Sequence, residues 1–259
     1  MGKKFQRFSA FGAPCLALCL ALALPGCAGK SARQNERVGE VYLSNGTQML
    51  LEGDSTQAIT ALTMATRYLP RSHEAWNNLG LAFAAQKEWV RAQRAWEKAL
   101  KLKPDFSDAQ VNYGSLLFRK GRFNEAEKEF RKVLEDMAYS KMFQVRYNLG
   151  LVALKKKNLI AAESEFLSAT RLNETFCPAW AQLAQIQKDK GELRQAEQSF
   201  QRSVKGTCFP DPAAHFEIAS IHVKTGDMAR AKSKFLEIIQ FFPDSEFARL
   251  AEQNLALMN

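Results

Sequence analysis

From Gly39 onward, apolar and small residues recur in one frame along the chain. A small residue is followed twelve positions later by Ala, four further on by an apolar residue, and three further on by another. The copies read Gly46, Ala58, Leu62, Ala65; Gly80, Ala92, Trp96, Ala99; Gly114, Ala126, Phe130, Val133; and Gly150, Ala162, Phe166, Ala169. Two more read Ala184, Ala196, Phe200, Val204 and Ala219, Ala231, Phe235, Ile238, the fifth holding only if Ser203 is set aside. Intervals of three and four place these residues on one face of an α-helix. Gly53, Gly121, Gly191 and Gly226 fall where a helix must end and turn through a positive φ. Pro104 and Pro243 close the second helix of their copies, because Pro lacks an N–H and restricts the residue before it. The pattern predicts an all-α chain of paired helices.

The six copies start 34, 34, 36, 34 and 35 residues apart and cover residues 39–245. This period and pattern resemble the tetratricopeptide repeat. In the second copy Trp76, Leu79, Gly80, Phe83, Ala92, Trp96, Ala99 and Pro104 fill all eight signature positions. The resemblance implies a right-handed superhelical solenoid of six tetratricopeptide repeats. Small residues at the Gly80 and Ala92 positions let paired helices approach closely, and the aromatic at Trp96 fills space toward the next repeat. No repeat buries its apolar face alone, so the ends need capping. Residues 246–259 are expected to form a capping helix, with Phe247, Leu250 and Leu255 inward and Asp244 and Ser245 supplying the N-cap.

The amino terminus has a different grammar. Lys3, Lys4 and Arg7 precede an apolar stretch from Phe8 to Leu24, the layout of a secretory signal, and Gly12 and Pro14 weaken it as a membrane-spanning helix. Leu24-Pro25-Gly26-Cys27 resembles the bacterial lipobox, although Pro25 departs from its usual choice. That resemblance implies a signal peptide over residues 1–26, lipidation of Cys27, and an outer-membrane lipid anchor facing the periplasm, since Ala28 rather than Asp follows. Residues 27–38 are expected to form a short polar tether, reaching at most ~35 Å over ten extended residues.

Composition adds little beyond this. Apolar residues at 46% and charged residues at 24% exclude a disordered chain. The net charge of +9 loses three cations with the signal and becomes +6, a mildly basic surface open to an anionic lipid or an acidic partner. Cys15 and Cys19 lie in the signal, so Cys177 and Cys208 remain as a pair in an oxidising compartment. Cys177 starts one helix and Cys208 follows its antiparallel partner, which places both at the same end and makes a disulfide plausible. His73, His215 and His222 are the only histidines, and their spacing makes no metal site. No Ser elbow, HExxH motif or phosphate loop is present, so catalysis, a cofactor, a small-molecule substrate and nucleic acid are not expected.

In tetratricopeptide arrays the first helices line a concave groove. Transferred here, that geometry makes Leu43, Leu50, Leu81, Val111, Phe118, Tyr147, Leu151 and Leu154 an apolar strip, with Ala181, Gln185, Lys188, Phe216 and Ser220 continuing it as a mixed surface. The signature residues already fill the core, so the strip is expected to be a partner-binding groove for a peptide or amphipathic helix. Burial by superhelical closure or by the amino-terminal segment is the alternative. Asn78, Asn112 and Asn148 recur where some such proteins grip a terminal carboxylate, with Arg119 and Lys155 the nearest basic candidates.

A lipobox, a short tether and six repeats together resemble the PilF/PilW (Tgl-like) pilotin lipoproteins of type IV pilus systems. The resemblance implies a non-enzymatic scaffold that assists secretin localisation and multimerisation, with a secretin subunit as its protein client. Two other readings stay open: a BamD-like β-barrel assembly scaffold, suggested by Phe242-Pro243-Asp244-Ser245, and a periplasmic adaptor lipoprotein.

Overall fold

The computed structural model describes Gly2 and residues 25–258, with side chains from residue 32 onward. The signal peptide assigned to residues 1–26 therefore lies almost wholly outside the described residues. Thirteen α-helices and one short 3-10 turn, and no strand, occur among those described. They run as antiparallel pairs: α1 (Pro25–Leu51) with α2 (Ser55–Tyr68), α3 (His73–Ala85) with α4 (Trp89–Leu102), and α5 (Ser107–Arg119) with α6 (Phe123–Val133). Then follow α7 (Met142–Lys155) with α8 (Leu159–Leu172), α9 (Cys177–Asp189) with α10 (Leu193–Ser203), and α11 (Pro212–Lys224) with α12 (Met228–Phe241). Each second helix also packs on the first helix of the next pair, and α13 (Glu246–Leu257) closes the stack.

The frame residues do what the spacing requires. Ala58, Leu62, Ala92, Trp96, Phe130, Phe166, Phe200 and Phe235 are all buried. A Cβ placed on Gly80 would lie 2.5 Å from Trp96 Nε1 and 2.7 Å from its Cδ1, so only glycine admits the indole so close. That indole donates its N–H to the Asn77 carbonyl, 3.2 Å away. In the fifth pair Ser203 takes the buried frame position itself, its hydroxyl donating to the Phe200 carbonyl at 2.8 Å, while Val204 caps the helix. The core is accordingly a chain of clusters between neighbouring helices rather than one central mass.

The turn glycines 53, 121, 191 and 226 have φ between 76° and 83°. The second and fourth pairs make the same turn with Lys87 (φ 61°) and Lys157 (φ 59°). At the end of the stack Ser245 accepts from the Ala248 N–H at 3.1 Å, and Phe247 and Leu255 pack on Phe235 and Ile238. Leu250, expected inward, is 38% exposed, because only one face of this terminal helix has a neighbour.

The segment expected as a short polar tether is helical. Residues 27–38 belong to α1, whose first residues include the good helix formers Ala28, Lys30, Ala32, Arg33 and Gln34. Eleven helical steps of 1.5 Å give a reach of about 17 Å instead of ~35 Å.

Candidate binding groove

The first helices of successive pairs are joined side by side through polar bonds. Asn78 donates to Thr47 Oγ1 at 2.9 Å, Asn77 to Asn78 Oδ1 at 3.1 Å, and Asn112 to Asn77 Oδ1 at 2.9 Å. This ladder holds α1, α3 and α5 in one sheet of helices and accounts for two of the three recurring asparagines. Farther along, Lys188 donates to Glu217 Oε2 at 2.7 Å and links α9 to α11. Each basic candidate for a carboxylate grip lies two turns along a helix from an asparagine, Arg119 from Asn112 and Lys155 from Asn148. Arg119 lies 4.1 Å over the Trp89 ring, and Lys155 stands exposed with no carboxylate partner among the described residues.

The apolar strip is more embedded than its sequence suggests. Val111 is buried at 8% exposure and belongs to the core beside Leu117 and Phe130, so it is not a groove residue. The remaining seven are half-buried. Leu43, Leu50 and Leu81 pack against Leu62, Leu79 and Phe83; Phe118 packs beside Val111 and Leu117; Tyr147, Leu151 and Leu154 pack against Phe166 and Leu183. These residues have internal partners of their own, because neighbouring repeats sit close enough to cover one side of each. What they leave outward is a set of half-exposed apolar side chains on the first helices. Burial raises the Tyr147 pKa, and its ring lies 5.2 Å from that of Phe176, edge to face.

A second row of bonds was not legible from residue identities. Trp76 donates to the Pro70 carbonyl (3.1 Å), Gln110 to Pro104 (2.8 Å), and Trp180 to Glu174 (2.9 Å), and His215 Nε2 meets the Phe209 carbonyl at 3.0 Å. Each joins the first turn of a first helix to the carbonyl six residues upstream, in the turn between repeats. His215 thus stands in for a tryptophan or glutamine, and carries its proton on Nε2. It is 1% exposed. Its Nδ1 lies 3.2 Å from Glu237 Oε1 without hydrogen-bond geometry. Burial and the Lys234 ammonium push its pKa down, outweighing Glu237 and Asp211. The fourth repeat lacks this bond, since Arg146 turns to Glu165 instead, at 3.1 Å.

Cys177 and Cys208 are joined as a disulfide, with Cα atoms 5.9 Å apart. It ties the start of α9 to the turn after α10 and holds Phe209, whose ring packs on His215, Phe241 and Phe242. The Cys27 side chain lies outside the described residues. No group of three or more His, Cys, Asp or Glu side chains is placed to hold a metal among the described residues, and no described helix is long and apolar enough to cross a membrane.

Tetratricopeptide-repeat families match residues 73–106, 107–135 and 182–246, which are the second, third, and most of the fifth and sixth helix pairs. The type IV pilus assembly protein PilF of Pseudomonas aeruginosa is 28% identical over 200 residues, covering 74% of this chain and 79% of that protein. The chain is a tetratricopeptide-repeat protein homologous to PilF. The solved PilF structure matches this solenoid with a TM-score of 0.75 at 23% identity, over 87% of this chain and all of the other. The structure of PilW, described as a widely conserved type IV pilus biogenesis factor, matches with a TM-score of 0.73 at 23% identity, over 82% of this chain and 97% of that one. Repeats of this kind also occur in unlike settings: bovine DnaJ homolog subfamily C member 3 is 25% identical over 218 residues, 79% of this chain but 43% of that protein. The first and fourth helix pairs, outside the matched ranges, repeat the same Gly46–Leu62 and Gly150–Phe166 approach.

Proposed function

We propose that this solenoid is an outer-membrane lipoprotein scaffold of type IV pilus biogenesis, a pilotin that assists localisation and multimerisation of the secretin. The kinship with PilF across most of both chains is the observation that carries this reading. Cys27 supplies the lipid, on a helical stem continuous with the first repeat. Several acyl chains at about 0.8 kcal/mol per buried CH₂ hold such a protein at the membrane. The client is a secretin segment seated on the first helices of repeats one to four, where Leu81, Phe118, Tyr147 and Leu151 offer apolar anchors. The work done is binding and delivery, with no chemical step.

Deletion of the gene tests this directly. Outer-membrane fractions are blotted for detergent-resistant secretin multimers, with a bulk porin as control. Loss of multimers with normal porin is the expected result, and Cys27→Ala then reproduces it. Normal multimers overturn the pilotin reading. A porin defect assigns the scaffold to β-barrel assembly, and no defect in either assigns it to an adaptor role. The doubly substituted Leu81→Gln/Leu151→Gln protein, folded by circular dichroism, should lose the client; undiminished binding overturns the groove assignment.

A further inference from the structure

The turns joining the two helices of each pair lie along one edge of the stack. Bonds between neighbouring repeats fix that alignment: Gln86 donates to Ser55 Oγ at 2.7 Å, Lys156 to Glu127 at 2.8 Å, and Lys190 to Glu163 at 3.2 Å. In the second, fourth and sixth repeats this edge brings lysines together with exposed aliphatic side chains. Its centre is residues 154–161, which hold Lys155, Lys156 and Lys157 and no carboxylate, followed at once by Leu159 and Ile160, 51% and 84% exposed. In repeat two the turn carries Lys87 beside Val90, 61% exposed, with Arg91 paired to Glu88; in repeat six it carries Lys224 beside Met228, 50% exposed, with Arg230 paired to Asp227.

Cations in the last turn of a helix are favoured by its dipole, which accounts for Lys155, Lys188 and Lys224. The dipole does not account for aliphatic residues held in water next to them. Nor are the lysines used up internally. Lys156 is paired, but Lys87, Lys155, Lys157 and Lys224 have no carboxylate partner among the described residues. The opposite edge has exposed apolar residues too, such as Leu172 at 54%, but there the turn between repeats four and five balances Arg171 against Glu174, with no run of lysines.

We infer that this basic, aliphatic edge is a second docking surface, separate from the groove, for an acidic protein segment that carries aliphatic residues. Complementary charge steers such a segment to the edge and fixes its register, while Leu159 and Ile160 supply the apolar contact. A bilayer has the same chemistry, but the fold turns the edge away from it. The amino-terminal stem of α1 leaves from the opposite edge, and α1 exceeds α2 by 13 residues, about 20 Å. With the anchor proposed above at that end, the lysine turns face away from the membrane that holds it. Apart from that orientation, the inference stands independently of the groove.

The test uses the full chain and a fluorescent synthetic peptide of alternating Glu and Leu, with a Lys–Leu peptide as the reversed control, followed by anisotropy. The Glu–Leu peptide should bind, the control should not, and added salt should weaken the complex. Lys155→Glu/Lys157→Glu should weaken it about tenfold, and Ile160→Ser, on an exposed side chain that leaves the fold intact, about fivefold. Leu81→Gln/Leu151→Gln should leave it unchanged. Equal loss in the groove variant and none in the lysine variant would assign the peptide to the groove and overturn the inference, as would no binding at all. Co-sedimentation with phosphatidylglycerol vesicles above that with phosphatidylcholine vesicles, lost in the lysine variant while the peptide fails to bind, would overturn it in favour of a lipid surface.

Discussion

The approach of Gly80 to Trp96 makes a prediction whose sign depends on the background. A methyl on Gly80 would meet three atoms of the indole at 2.5, 2.7 and 2.8 Å, all on a rigid, buried ring. Such overpacking costs ~1–3 kcal/mol, and the three simultaneous clashes argue for the upper end. Replacing a mid-helix glycine by alanine returns about 1 kcal/mol of helix propensity. Gly80→Ala should therefore destabilise by about 2 kcal/mol. Trp96→Ala should cost ~3–5 kcal/mol, including the lost bond to the Asn77 carbonyl. In that background the methyl meets no ring and only the propensity remains, so Gly80→Ala should now stabilise by about 1 kcal/mol. The resulting coupling is about 3 kcal/mol, far above the additivity error of ~0.5 kcal/mol. Repeat arrays need not unfold in one step. Urea titrations by far-UV circular dichroism should therefore be paired with amide hydrogen exchange in α3 and α4. Stabilisation by Gly80→Ala in both backgrounds would refute the close approach as the reason for glycine.

Three further outcomes follow from the same geometry. His215 has a lowered pKa in the folded state, so below about 6.5, its ordinary value, the unfolded chain binds the proton more strongly. Stability should thus fall as pH drops from 7 toward 5, and His215→Gln, which keeps the donor to Phe209, should flatten that fall in urea midpoints; an unaltered slope would remove His215 as its source. Reducing the Cys177–Cys208 bridge, or replacing both cysteines by serine, should cost roughly 3–4 kcal/mol for a separation of 31 residues. The loss should register as faster exchange in α9 to α11 with little change in α3. Lys157→Gly should raise stability by about 0.5–1 kcal/mol by relieving a left-handed lysine; a loss measured in the same urea titration would show that the lysine side chain does more than turn the chain.

Much of the solenoid could be read before it was seen because its frame residues recur as letters. Gly, Ala and Phe repeat where helices touch, Gly where the chain turns, and Ser245 where the last helix begins. What escaped had no letter common to all its copies. The carbonyl-capping row is built from Trp76, Gln110, Trp180 and His215, in which only Trp recurs and all four share an N–H of the right reach. The left-handed Lys87 and Lys157 likewise carry no sign of the turn they make. The groove was half legible. The tetratricopeptide resemblance placed Leu81 and Leu151 on first helices, where they lie, but could not say that neighbouring repeats cover one flank of each, nor that Val111 is core. The helical form of the tether was not legible from its polarity, which says nothing for or against a helix, although its residues favour one.

The junction between repeats three and four differs from the others in whom it holds. Its loop is braced backward, with Tyr139 donating to Asp108 at 2.9 Å and Ser107 to Asp136 at 2.6 Å, while the forward carbonyl bond found at the other latched junctions is replaced by the Arg146–Glu165 pair. Met137 stands 93% exposed at its tip. The two backward braces and a core shared by α5, α6 and α7 hold this junction without the forward latch, so repeat four is seated by contacts that reach back into repeat three.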